Sequence, residues 1–341
     1  MGVWDEPKIG PPGRDASAAL GDDRPHRPRR GAIDCSFRPS RVIAAPPGDD
    51  SASGRSCGCN MRSISRASFA LGLLGLGLLT VVYRDFALQW QPAPSWVPAR
   101  TPLALASGAA LLLCGAGLLV DRFAAPASRV MFYYALLWVL LLKVPKVAAA
   151  PTIEVNWNGL GEICVVLACC WALFATLNDP VESSAPRFVT GPNGVRIARY
   201  LFAIGLLPVG LAHFVYLPQT TALVPAWLPF RTGWAELGGA GHIAAGLAVL
   251  FGIAPALAAS LEAAMIGVFT MLVWLPGVLG NPPSRLQWTA FWVSWTVAGA
   301  AWVVAVSLAR EGSPSQVEAL RLLHPAPPEA PRSGATTPYD G

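Results

Sequence analysis

The sequence predicts an all-α integral membrane protein with eight transmembrane helices, arranged as two parallel-repeat four-helix bundles. Three observations predict it. The 341 residues are only 13% charged and 53% hydrophobic, with a net charge of +5, whereas a soluble domain carries about a quarter charged residues. The charge lies mostly at the two ends, so the middle has too little polar surface to coat a water-soluble globule. Eight apolar segments each come near the ~20 residues that cross a ~30 Å hydrocarbon core. The chain also repeats itself: Pro94–Leu119 and Pro225–Leu250 match without a gap at 10 of 26 positions, 131 residues apart.

The matched positions in the first copy are Pro94, Trp96, Pro98, Arg100, Thr101, Ala104, Gly108, Ala109, Gly115 and Leu119. At the same offset Pro145, Pro151 and Trp157 align with Pro276, Pro282 and Trp288. Chance apolar similarity would not keep tryptophan, arginine and several prolines in register, so a duplicated unit is expected.

Residues 1–60 are rich in Pro, Arg, Gly, Asp and Ser without apolar periodicity, and read as a disordered tail. Met61-Arg62-Ser63-Ile64-Ser65-Arg66 ahead of the first apolar run has the form of a natural amino terminus, so translation is expected to start there, and 1–60 to be untranslated. The first repeat then covers 61–177, with spans near 67–84, 101–121, 128–147 and 159–177. A polar cytoplasmic linker, 178–197, contains Asp179, Pro180, Glu182, Pro186, Pro192 and Gly194. The second repeat covers 198–310, with spans near 198–217, 232–252, 255–277 and 287–308. Residues 311–341 read as a second disordered tail. Backbone amides have no water partner in lipid, so each span is expected to be helical.

Four spans per unit is an even number. The second unit therefore enters from the same side as the first, which makes the duplication parallel. With the amino terminus inside, nine Lys/Arg flank the spans on the cytoplasmic side and six on the other. Both termini are expected in the cytoplasm. Small residues at one spacing, Ala104/Gly108/Gly115 and Ala235/Gly239/Gly246, mark close helix contacts, as do Gly72, Gly75 and Gly77.

The segment Leu223–Gly246, with Leu211–Phe214 before it and Leu272–Pro276 after it, resembles the DoxX family of small bacterial membrane proteins. Two such four-helix units in tandem would cover about 61–310. The resemblance implies residence in the cytoplasmic membrane and an association with membrane redox or thiol-stress complexes, as an accessory or scaffold component beside a redox partner protein. A quinone-reactive oxidoreductase subunit and a small-solute transporter are the competing expectations.

Polar residues inside spans are costly and mark candidate function. His213, Glu236, His242 and Glu262 form the candidate polar cluster. Depth counting pairs His213 with Glu236 and His242 with Glu262. Such a chain suits a quinone head group or a proton relay, because imidazole both donates and accepts and a carboxyl carries the proton. The first repeat has Leu105 and Leu111 in place of Glu236 and His242, so its interior is expected to be drier. Arg84/Asp85 and Lys143/Lys146 with Glu154/Glu162 are expected to pair at the rim, the lysines snorkelling. The twin loops carrying Trp96, Pro98 and Arg100 and Trp227, Pro229 and Arg231 are expected to lie in the membrane interface. No catalytic residue stands out, no His/Cys set has metal-ligand spacing, no C-x-x-C-H marks a haem, and no basic aromatic stripe marks nucleic acid. Cys114, Cys164, Cys169 and Cys170 read as packing residues.

A reporter fused in Asn178–Val195 should face the cytoplasm, and one near Pro92 or Gln219 the outside. The reverse pattern of accessibility would overturn the orientation.

Overall fold

The computed structural model describes residues 50–88, 90–178 and 189–311. Residues 1–49, 179–188 and 312–341, where most of both expected tails and half of the linker fall, lie outside the described residues. Among the described residues there are helices and no strands. Eight of the helices are long and apolar enough to cross a membrane.

These are α1 (Asp50–Tyr83), α2 (Arg100–Leu119), α3 (Asp121–Ala149), α4 (Glu154–Leu177), α5 (Gly191–Val215), α6 (Arg231–Phe251), α7 (Pro255–Gly280) and α8 (Arg285–Glu311). Every expected span is present. The first helix begins at Asp50, within the stretch expected to be a tail. The linker is shorter than expected, because α5 starts at Gly191. Pro192 occupies its first turn, where the missing N–H would have had no helical partner anyway.

Consecutive helices pack against each other, and α1 also packs against α8, closing a ring. The ring is pinched where α4 meets α8. The described helices belong to one compact unit that is not divided between the halves. The first helix of each half lies against the last helix of the other: α1 on α8, and α5 on α4. Two self-contained four-helix bundles, side by side, are therefore not what the contacts describe.

Glycines make these approaches possible. A Cβ on Gly161 would run into the Gly205 carbonyl of α5, and one on Gly75 into the Trp292 indole of α8. The expected small-residue stripes do the same within each half. Gly108 and Gly115 of α2 face the Gly77 and Ala70 carbonyls of α1, while Gly239 and Gly246 of α6 face those of Gly210 and Ala203 of α5. Lipid supplies no hydrophobic drive between helices, so this close packing is what holds them together.

Local geometry recurs at an offset of 131 residues. Ala99 and Phe230, just before α2 and α6, both hold left-handed backbone, with φ of 52° and 54°. That turn lets Arg100 donate to the Ala93 and Pro94 carbonyls, and Arg231 to those of Val224 and Ala222. Trp157 Nε1 donates to Pro151 O and Trp288 Nε1 to Pro282 O, each at 2.8 Å. Both α3 and α7 contain a π-helical turn, Val139–Lys143 and Thr270–Trp274, directly before Pro145 and Pro276. A proline ring collides with the carbonyl four residues back, and the wider turn relieves that clash without breaking the helix.

The loop after α1 is tied to both halves. Asp85 accepts from Arg100 Nε at 2.8 Å and lies 3.6 Å from Arg285 at the start of α8. Burial pushes the Asp85 carboxyl up, but the Arg100 and Phe86 N–H hydrogen bonds and the charges of Arg100 and Arg285 outweigh it and hold the carboxyl below the ordinary value. Trp96 and Trp227 are 78% and 71% exposed, as suits side chains that sit in a membrane interface.

Gly75→Val should destabilise the α1–α8 contact by about 1–3 kcal/mol, since overpacking in a tight seam costs that much. Unfolding in detergent checks it, and Trp292→Ala in the same chain should restore part of the loss.

Candidate functional site

Three of the four expected cluster residues meet. Gly210 lets α5 and α6 touch, and a Cβ there would come within 3.1 Å of the His242 Cβ and 2.7 Å of the Gly239 carbonyl. Gly238 and Gly239 leave room for the His213 side chain. The His213 and His242 rings are consequently 5.1 Å apart between centroids, tilted by 49°. On the other side of α6, His242 Nδ1 lies 2.5 Å from Glu262 Oε1 of α7. His242 is 3% exposed and Glu262 1%.

The remaining atoms of this cluster matter as much. His213 Nδ1 donates to Val209 O at 3.1 Å. Glu262 Oε2 is buried and has no hydrogen-bond partner among the described residues. A buried polar atom left without a partner costs roughly 1–3 kcal/mol, so few persist without cause. Glu262 lines a groove of about 290 Å³ between α6 and α7, whose other walls are Gly241, Ala244, Ala245, Ala248, Ala258, Leu261 and Met265.

Glu236 does not join them. It is exposed on α6, and no ion pair reaches it among the described residues. Six residues separate Glu236 from His242, about 240° of helix rotation, so one face cannot carry both. The expected His213–Glu236 pair is replaced by His213 against Gly238, Gly239 and His242. A short helix, Leu217–Leu223, continues the chain beyond α5. His213 is level with Gly238 and Gly239, within a few Å of the depth expected for it.

The first half also contributes. Glu162 of α4 lies within electrostatic reach of both His242 and Lys143 and accepts from Asn158 Nδ2 at 3.3 Å. Lys143 was expected to snorkel at the rim. It is instead 4% exposed, because the π-helical turn swings it inward, beside Gly159 of α4. Lys146 is exposed, as expected. At the rim, Asp85 pairs with Arg100 and Arg285.

At the positions equivalent to the His242 region, Leu111 is fully buried. The first half is not wholly dry, however. Gln91 Nε2 donates to Ser107 Oγ and to Tyr134 Oη, each at 2.9 Å, and those two oxygens are 2.6 Å apart. This network is neutral where the second half carries a titratable pair. Arg100 and Arg231 spend their donors on backbone carbonyls and, for Arg100, on Asp85. Pro98 and Pro229 are exposed beside them. Cys114, Cys169 and Cys170 are buried thiols. Among the described residues no group of three or more His, Cys, Asp or Glu has the arrangement to hold a metal.

No family model, no curated protein and no solved structure matches this chain.

The His242–Glu262 contact predicts strongly non-additive mutants. His242→Leu or Glu262→Leu alone should cost on the order of 3–5 kcal/mol, because each strands a buried polar partner. The double variant should recover most of that loss. Equal losses that simply add, measured by unfolding in detergent, would show that the two side chains act separately.

Proposed function

We propose that this chain is a tandem DoxX-like protein of the bacterial cytoplasmic membrane, with both termini inside, acting as an accessory or scaffold component of a membrane redox or thiol-stress system. The duplication reading draws support from the twin left-handed turns, arginine clamps, π-helical turns and indole caps that recur 131 residues apart. In it the two units share α4 and α8 as a central seam, each unit lending its first helix to the other.

The observation that carries the functional reading is the buried His213–His242–Glu262 cluster. It offers groups that hold and pass a proton. The sequence has no haem or iron–sulfur signature to pass an electron. A proton-handling site of this kind serves redox chemistry when a partner protein supplies the electrons. A second reading, a quinone-reactive subunit, is favoured by one feature: Glu262 borders an apolar groove open at the side of the helix pair. A quinone would need a hydrogen-bond partner there and an apolar wall for its ring.

Purification from native membranes in mild detergent tests this. A flavin-, haem- or iron–sulfur-containing oxidoreductase should co-purify in stoichiometric amount. Cells carrying the His242→Leu/Glu262→Leu double variant, expressed at normal level, should show the thiol-stress sensitivity of a deletion strain. A chain that purifies alone, together with a double variant that behaves as wild type, would defeat the proposal.

A further inference from the structure

One face of α4 carries a polar ladder that starts at the membrane surface. Glu154 opens the helix, and Asn158 and Glu162 follow at intervals of four residues, so the three share a face. At ~1.5 Å per residue the ladder descends by about 12 Å. Both carboxyl oxygens of Glu154 are buried and have no hydrogen-bond partner among the described residues, although the residue as a whole is only half-buried. Asn158 Nδ2 donates to Glu162 Oε1 at 3.3 Å, which draws the Glu162 carboxyl back toward that surface. Lys143 of α3 comes in beside Gly159, and the charges within reach of Glu162 are those of Lys143, Glu154 and His242. His242 is reached across α5, because Gly161 meets Gly205 on one side of that helix and Gly239 meets Gly210 on the other. Counted from Arg231, His242 lies about 16 Å below the same surface, so the ladder ends at a neighbouring depth.

The opposite direction offers nothing comparable. Between Glu262 and the turn that starts α7 at Pro255, α6 and α7 bring Ala245, Ala248, Val249, Ala258 and Ala259, none of which binds a proton. The second oxygen of Glu262 is sealed. Arg199, at that end of α5, spends its Nε on the Val249 carbonyl and sets a fixed positive charge in the way of an entering proton. We propose that the His242–Glu262 pair exchanges protons with one face of the membrane only, the face at which α4 begins, by way of Glu154 and Glu162. The inference rests on the proton-handling reading of the pair and adds a direction to it. Each step moves one proton and no electron. Glu154 takes a proton from water and gives it to Glu162, Glu162 gives it to His242, and each donor returns to carboxylate. A bridging water closes any gap longer than hydrogen-bond reach. Lys143 acts as a positioning residue, offsetting the Glu162 charge between transfers.

The full chain, reconstituted in both orientations in phosphatidylcholine–phosphatidylglycerol vesicles, tests it by rapid-mixing infrared spectroscopy. The bands to follow are the carboxyl and imidazole bands that the Glu262→Gln/His242→Gln double variant lacks. With the lumen strongly buffered, a pH step outside should move these bands only in chains whose α4 begins outside. That fraction is counted separately by impermeant amine labelling of Lys146, which is exposed at the same face. A proton carrier, which equalises the two sides, should then move the bands of the remaining chains. Glu162→Gln, which keeps the Asn158 hydrogen bond, should slow the response by roughly a hundredfold, the low end of what a positioned proton-transferring side chain contributes. Glu154→Gln should slow it as well, and decides the matter if the Glu162 variant fails to fold. Movement in every chain before the carrier is added, or in the complementary fraction, would overturn the one-sided path and leave the proton-handling reading intact. So would wild-type rates in the folded variants. Bands that stay still even with the carrier would defeat that reading, and this inference with it.

Discussion

Backbone-to-backbone approach at glycine is the constraint on which the rest of the structure depends. Gly77 and Gly108, Gly161 and Gly205, and Gly210 and Gly239 place helices close enough for a carbonyl of one to sit where the other's Cβ would be. In lipid this is the main source of helix association. It also sets the site. Without Gly210, Gly238 and Gly239 there is no space for two imidazoles between α5 and α6, and His242 could not lie between His213 and Glu262. The polar cluster is thus a product of the same small residues that hold the bundle.

The cluster has an uneven electrostatic design. On the side of α6 facing α5, a histidine ring is fixed by a backbone carbonyl. On the side facing α7, the Glu262 carboxyl lies against His242 Nδ1, its second oxygen buried. Beyond α5 lie Glu162 and the inward-turned Lys143 of the first half. Charged groups buried in this way are tolerated where they find one another. The two halves differ most in this respect: the neutral Gln91–Ser107–Tyr134 network stands near the start of one, and the titratable pair in the other.

Much of this was legible in the sequence, and what was not has physical reasons. The eight spans follow from apolar length alone. The stripes Ala104/Gly108/Gly115 and Ala235/Gly239/Gly246 correctly marked the faces turned to the preceding helix. The His242–Glu262 pair followed from depth counting, because both lie in regular helices measured from short turns. Depth counting also put His213 level with the start of α6, but depth alone did not show that Gly238 and Gly239, rather than Glu236, face it there. It failed for Lys143, which a π-helical turn rotates away from the rim. Pro145 and Pro276 were the signal for those turns, since a proline inside a span demands some local relief. Glu236 was expected beside His213 because their depths agree, but its face of α6, about 240° from that of His242, is the exposed one. That α1 lies on α8 and α4 on α5 has no local signature, because which helices become neighbours is decided by the whole assembly.

The exchange of end helices between the halves bears on how the chain is made. During synthesis α1 leaves the ribosome first, yet one of its two principal neighbours, α8, emerges last. Until Arg285–Glu311 is inserted, the α1 surface bearing Gly72 and Gly75 has no protein against it and must be covered by lipid or by the insertion machinery. The α4–α5 seam, by contrast, can close as soon as the chain is half made. Final assembly therefore waits on the last span, and a nascent chain cut short before it would carry an open seam along its first helix. Quality control in the membrane has there a surface by which to tell an unfinished molecule from a finished one.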